Sequence, residues 1–350
     1  MRTFKITIIM VVSFFTILFT LISSLLLTLQ TTPNLLAFIL RQTWHKEVLY
    51  EPAEYLEIKD DLEVVKDIKY QSSYQDNSFD VYYPKETSNP LPTIIWIHGG
   101  GFISGVKEDI SVFGPLVASA GYTFISIDYE LAPERHYPSP LIQTSEVIKH
   151  LNNNLDEFFM VDMNRLVIGG DSAGAHIAAN FAILQTNQKL ASDMNLEQVL
   201  SKEQLKGVLL YCGPYDLNEF DQIMSQRVLG RSNLLATVFN TFVKQIGWSY
   251  FGRSKWQEHE LIEYTNIVEN VTSDFPATFI TDGNLVSFMQ HGQTLDNKLQ
   301  SLGVTTQVYF PSEIYEKDYV HEYQFDFEKY PNEALENLSL TLDFLEILFQ

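Results

Sequence analysis

Leu166-Val167-Ile168-Gly169-Gly170-Asp171-Ser172-Ala173-Gly174-Ala175-His176-Ile177-Ala178-Ala179 is the stretch whose reading decides the fold. A short continuous apolar run comes first, which is how a strand buried on both faces of a parallel sheet reads. An Ala-rich helical run closes it. Between them Gly170-Asp171-Ser172-Ala173-Gly174 forms a G-x-S-x-G pattern. A serine on a sharp strand-to-helix turn has its hydroxyl forced out at the end of the sheet. Such a turn is crowded, and Gly170 and Gly174 supply the small flanks it needs. The helix that follows aims its N-terminus at the serine, which favours developing negative charge. Ser172 is therefore the candidate nucleophile.

Working outward, the chain alternates strands and helices. Strand-like runs cover Leu62 to Tyr70, Phe79 to Tyr83, Thr93 to Ile97, Tyr122 to Ile127, Arg165 to Ile168, Gly207 to Tyr211, Thr278 to Thr281 and Val304 to Phe310. Helical patterns cover Ile110 to Ala120, Pro140 to Leu151, Ala173 to Gln185, Gln290 to Leu302 and Glu333 to Leu348. This rhythm predicts an α/β fold with a mostly parallel central sheet flanked by helices. Residues 214–265 break it with Trp248, Trp256 and Tyr-rich stretches, and read as an inserted helical cap.

Directly after the strand Thr93 to Ile97 stands His98-Gly99-Gly100-Gly101-Phe102. Attack on an ester carbonyl creates an oxyanion, which needs backbone N–H groups that approach closely, and glycines leave that room. The expected donors are the amides of Gly100, Gly101 and Ala173. A phosphate-cradling loop is the competing reading, but neither the Lys of a P-loop nor a G-x-G-x-x-G spacing is present. His98 reads as a structural residue of the loop.

Composition narrows the field. With 44 acidic against 23 basic residues the formal net charge is -21, which disfavours nucleic acid and anionic lipid as partners of the catalytic part. The lone cysteine, Cys212, excludes an intrachain disulfide and a Cys-rich metal site. It lies in an apolar run and reads as a small buried hydrophobe. No metal or cofactor is expected, and oligomeric state is not legible.

Residues Ile6 to Leu29 carry no charged side chain. As a helix, roughly 24 residues reach ~36 Å, enough to cross a hydrocarbon core. The run exceeds the apolar region of a cleaved signal peptide, and no small-residue cleavage pattern follows. Residues 1–33 are thus read as an uncleaved single-pass transmembrane helix, 34–61 as a connecting region, and 62–350 as the catalytic domain with its cap. Arg2 and Lys5 precede the run closely, so the catalytic domain is expected on the non-cytoplasmic side. A second apolar stretch, Leu35 to Leu40, is too short to span and is expected to rest on the membrane or on the catalytic domain.

Together the two glycine motifs resemble the hormone-sensitive-lipase-like carboxylesterase branch of the α/β-hydrolase family. Asp128-Tyr129-Glu130-Leu131-Ala132-Pro133-Glu134 is similar to that branch's D-Y-R-L-A-P-E, with Glu130 where Arg is usual. The resemblance spans roughly residues 60 to 350. It implies an α/β-hydrolase fold, an esterase or lipase activity without cofactor, and a Ser-Asp-His order along the chain. By that order and position the base is His321, in Asp318-Tyr319-Val320-His321-Glu322-Tyr323. His291 reads as an exposed helical residue, and His176 as pointing along its helix away from Ser172.

The family's acid lies in a G-x-x-D-P-L stretch. The matching stretch here is Gly283-Asn284-Leu285-Val286-Ser287-Phe288, with Val286 at the acid's position. Asp282, at the end of the preceding strand, is the nearest carboxylate and the candidate acid. Glu313, Glu316 and Asp318 are alternatives, as is no acid at all. The expectation is a membrane-anchored serine carboxylesterase that cleaves small to medium acyl esters. The rivals are an amidase or formamidase using the same site, and a weakly active or inactive binding protein on a hydrolase scaffold.

Overall fold

The computed structural model describes residues 2–43, 49–218 and 233–350, with side chains at 2–8, 26, 29, 30 and 233–240 excepted. Eight strands form one sheet: β1 Leu62–Lys69, β2 Ser78–Pro84, β3 Leu91–Ile97, β4 Thr123–Ile127, β5 Val161–Asp171, β6 Leu205–Tyr211, β7 Ala277–Thr281 and β8 Thr306–Tyr309. Their order is β1-β2-β4-β3-β5-β6-β7-β8. β2 runs antiparallel to both of its neighbours, and every other pair is parallel. The parallel part is covered on both faces. Ile95, Ile97, Ile125 and Ile168 belong to one apolar layer; Ile94, Trp96, Phe124 and Val167 belong to the other. Alternate residues of one strand thus serve opposite layers, which is why these strands read as continuous apolar runs. Each such fully buried aliphatic side chain contributes about 1.5–3 kcal/mol.

Twelve helices are described: α1 Arg2–Thr31, α2 Asn34–Thr43, α3 Ala53–Ile58, α4 Phe113–Ser119, α5 Ser139–Asn153, α6 Ala173–Thr186, α7 Gln188–Asp193, α8 Asn233–Phe251, α9 Ile267–Asn270, α10 Met289–Ser301, α11 Pro311–Tyr315 and α12 Pro331–Phe349. The elements expected from periodicity form, with shifts of a few residues at their ends. Part of the expected cap, 219–232, lies outside the described residues. Of the cap, α8 is described, and it packs against α2.

The apolar N-terminal run forms the continuous helix α1. The expected membrane span is not found there: among the described residues, no helix is long and apolar enough to cross one. The second apolar stretch rests on the catalytic domain. In α2, Ala37 and Leu40 are buried in the core. Arg41 donates to the carbonyls of Ile103 (2.8 Å) and Ala132 (2.9 Å) and pairs with both oxygens of Glu134. This guanidinium holds the Glu134 carboxyl below its ordinary range.

His291 is a second correction. It is buried at the start of α10, where its Nδ1 accepts the amide of Tyr215 at 3.0 Å. The loop behind β6 covers a helix face that the local pattern presents as polar.

Candidate active site

Register places the site. Ile97, the last residue of β3, sits opposite Gly170 of β5; Asp171 pairs with Tyr211, and Tyr211 with Thr281. The glycine loop after β3, the serine turn after β5, Cys212 after β6 and Asp282 after β7 therefore lie side by side along the carboxyl rim of the sheet.

Ser172 has φ 50° and ψ -116°, a sparsely populated conformation of the kind stored at functional turns. Its N–H donates to the Tyr211 carbonyl at 2.8 Å. The glycines around it are required by space. A Cβ on Gly170 would stand 2.5 Å from the Ile97 carbonyl oxygen, and one on Gly174 would collide with the same atom. The Ser172 hydroxyl meets His321, whose Nε2 lies 2.9 Å from Oγ.

His321 is held by a second strap. The Tyr319 carbonyl accepts the amides of Asn284 and Leu285 at 2.9 Å each, and the His321 amide donates to the Leu285 carbonyl at 3.1 Å. The loops after β7 and β8 are thereby zipped together. On the far side of the ring, Nδ1 lies 3.4 Å from the Ser287 hydroxyl oxygen. The Ser287 hydroxyl donates to Asp282 Oδ1, and the Phe288 amide donates to Oδ2 at 2.8 Å. Burial pushes the Asp282 carboxyl up to about 6, against the pull of His321 and of these donors. Of the other candidate acids, Asp318 accepts from Asn284 and Glu313 from Gln293, while Glu316 ends α11 in a left-handed conformation. Val286 carries no carboxylate, has φ 50°, and is 58% exposed at the cavity.

The glycine loop is tied down by Asp171. Its carboxylate accepts the Gly99 amide at 2.9 Å and the Trp96 indole at 2.8 Å. Burial, reinforced by Glu322, pushes this carboxyl well above its ordinary range. Gly100 has φ 104°, and a Cβ there would strike the Ser104 backbone. Gly100, Gly101 and Ala173 line one cavity with Ser172 and His321. That cavity is about 560 Å³, with Phe242 and Ile246 of α8, Phe288 and Phe325 as its apolar walls. Among the described residues its acidic lining is Asp109, Asp171 and Glu322, with no Lys or Arg. Glu322 Oε1 stands 3.7 Å from His321 Nε2.

His98 is structural: its Nδ1 lies 2.8 Å from the Gly99 carbonyl and its ring stacks on Tyr129. His176 bonds the Pro214 carbonyl and does not face Ser172. Cys212 is buried, and burial pushes its thiol well up. Two clusters among the described residues have metal-ligand types within reach of one another. Cys212, His321 and Glu322 form one, whose imidazole is engaged with Ser172. Asp67, Asp80 and Glu108 form the other, closed on the buried Lys107 ammonium.

The family model BD-FAE matches residues 79–299. The chain belongs to the BD-FAE family, among the α/β-hydrolase carboxylesterases of the hormone-sensitive-lipase-like type. An esterase of Gibberella moniliformis is 23% identical over 69% of this chain and 71% of its own length. An acetyl esterase of Salmonella choleraesuis is 26% identical over 65% of each chain, just under two thirds of that relative. Esterase B of Lactobacillus rhamnosis, solved with an inhibitor, superposes with a TM-score of 0.70 at 19% identity, over 93% of this chain and 96% of its own. At that identity the likeness is one of fold.

Sequence reasoning missed two residues of this BD-FAE protein's site, Ser287 and Glu322. Each directly follows a residue already singled out, Val286 and His321. No local pattern marks either one.

Proposed function

We propose that the protein is a serine carboxylesterase acting through an acyl-enzyme on Ser172. The 2.9 Å approach of His321 Nε2 to Ser172 Oγ carries the reading. The Ser172 oxygen attacks the ester carbonyl as its proton passes to Nε2. The carbonyl oxygen gains charge against the amides of Gly100, Gly101 and Ala173. Collapse returns the proton from His321 to the departing alcohol, and water attacks the acyl-enzyme by the same route in reverse. Asp282 is the acid that orients and stabilises the imidazolium. A cavity of about 560 Å³ with phenylalanine walls suits small to medium acyl esters. Its acidic lining favours neutral or cationic substrates over anionic ones.

The test is direct. A fluorophosphonate probe should label the wild type and fail on Ser172→Ala. Hydrolysis of p-nitrophenyl acetate and butyrate should disappear with the same change. Faster turnover of N-formyl or N-acyl amides than of matched esters would favour the amidase reading. A wild type that neither labels nor hydrolyses would leave a binding protein.

The reading extends to the N-terminus: α1 holds the protein at a membrane, with the catalytic domain on the non-cytoplasmic side. Its support is the uncharged run Ile6 to Leu29 and the exposure of its large apolar side chains, among them Ile9, Met10, Phe14, Phe15 and Phe19. An uncovered apolar surface of this kind needs a lipid or protein cover.

A further inference from the structure

We infer that Ser287 is the positioning residue that couples the Asp282 carboxylate to the His321 imidazole, in place of a carboxylate at position 286. The inference rests on the serine-esterase reading above. Asp282 is buried, and its two oxygens accept from the Ser287 hydroxyl and the Phe288 amide, with the Gly283 amide also favouring the ionised form. Ser287, itself fully buried, stands between that carboxylate and the imidazole. Val286, by contrast, is turned toward the cavity.

The direction of the chain of donors matters. An ionised carboxylate only accepts, so the Ser287 proton points at Asp282. Ser287 then presents a lone pair to His321 Nδ1, and Nδ1 must carry the ring proton. Nε2 is left as an acceptor facing the Ser172 hydroxyl at 2.9 Å. This is the tautomer a general base requires. When Nε2 takes the Ser172 proton, the ring becomes cationic, and the Ser287 dipole backed by Asp282 stabilises it. No bond to Ser287 forms or breaks, and no proton leaves Asp282. The 3.4 Å Nδ1···Oγ separation is long for a resting hydrogen bond and shortens as the ring gains charge.

The titratable groups around the Asp282 carboxylate come from several elements: His321, Cys212 and Tyr215 behind β6, and Tyr323. Of the groups that lower its pKa, Ser287 is one a single substitution removes without touching a charge.

Ser287→Ala should lower kcat by about 100-fold, short of the ~10⁴-fold seen when a triad acid is replaced, with KM within about twofold. The acid limb of the kcat profile should move to higher pH, because Asp282 loses a donor that favours its ionised form. In an Asp282→Asn background, Ser287→Ala should no longer move that limb. The double variant should be no slower than the worse single one, the mark of residues acting as a unit. Ser287→Thr, which keeps a hydroxyl, should restore most of the rate. Wild-type kcat and pH profile in Ser287→Ala, or additive effects in the double variant, would overturn the inference. If Ser287→Ala does not accumulate as folded protein, Ser287→Cys, a weaker donor of similar size, is read the same way. Failure of the wild type to take a fluorophosphonate at Ser172 would sink the esterase reading itself. Labelling together with an unaffected Ser287→Ala sinks only the coupling.

Discussion

His321 Nε2 lies 2.9 Å from Ser172 Oγ although the two residues are 149 apart in the chain. Two different loops of the carboxyl rim meet at this contact, each pinned by its own backbone hydrogen bonds. Ser172→Ala and His321→Ala should each reduce kcat for p-nitrophenyl butyrate by ~10⁴-fold or more, because nucleophile and base act as a unit. Binding of a non-reactive ester analogue should be nearly unchanged in Ser172→Ala. An equal loss in binding would mean that the cavity, not the chemistry, had been damaged.

Asp282 gives both activity and stability a pH signature. Its carboxyl is pushed up to about 6 from an ordinary 3.8, chiefly by burial. Turnover should therefore fall as pH drops through 6. The stability effect has the opposite sense. The folded state binds this proton more tightly than the unfolded chain, so stability falls as pH rises from about 4 to 6, by ~3 kcal/mol if this group acted alone. Asp282→Asn should flatten the dependence of Tm on pH across that window in calorimetry. A slope identical to wild type would assign the pH dependence to other groups.

The Glu322 carboxylate lines the cavity 3.7 Å from His321 Nε2, where its charge should disfavour anionic substrates. The ratio of kcat/KM for a hemisuccinate-type ester to that for a neutral ester should rise about tenfold in Glu322→Gln, a coupling of ~1.4 kcal/mol at half-exposed separation. The ratio for an ammonium-bearing ester should fall. Both changes should shrink at high salt.

Arg41 ties α2 to the glycine loop through Ile103 and to the following loop through Ala132 and Glu134. Arg41→Ala leaves two backbone carbonyls without this donor and should cost about 1–3 kcal/mol in chemical denaturation. It should also raise KM, since Thr43 at the end of the same helix lines the cavity. Arg41→Lys should recover only part of the loss, because one ammonium cannot serve three acceptors in the geometry of a guanidinium.

Removal of residues 1–31 should release the protein into the supernatant of membrane preparations, while the full chain resists alkaline carbonate extraction. Esterase activity of the truncated chain should persist, because α2 docks on the catalytic domain by its own buried face. Full-length protein that is freely soluble without detergent would remove the membrane assignment.

Much of this protein was local enough to read from the chain. Strands buried on both faces are continuous apolar runs, and β3 and β5 announce themselves that way. Gly170 and Gly174 are legible as the small flanks a sharp strand-to-helix turn needs, and the structure sets both against the Ile97 carbonyl. Ser172 and the glycine loop follow from those runs, and family order then selects His321. The likeness of motifs could not say which carboxylate serves the histidine, because the position that normally carries it holds Val286.

Tertiary structure alone decided the rest. Asp282 and His321 meet on either side of the Ser287 hydroxyl because register aligns the ends of β7 and β8 while the Tyr319 carbonyl zips the two following loops together. The burial of His291 depends on the segment behind β6, and the seating of α2 depends on loops some ninety residues away. Sequence determines what a strand or turn can be through sterics and periodicity within a few residues. Which polar groups meet at the rim depends on how separate strands are ordered in the sheet, and no local pattern carries that order.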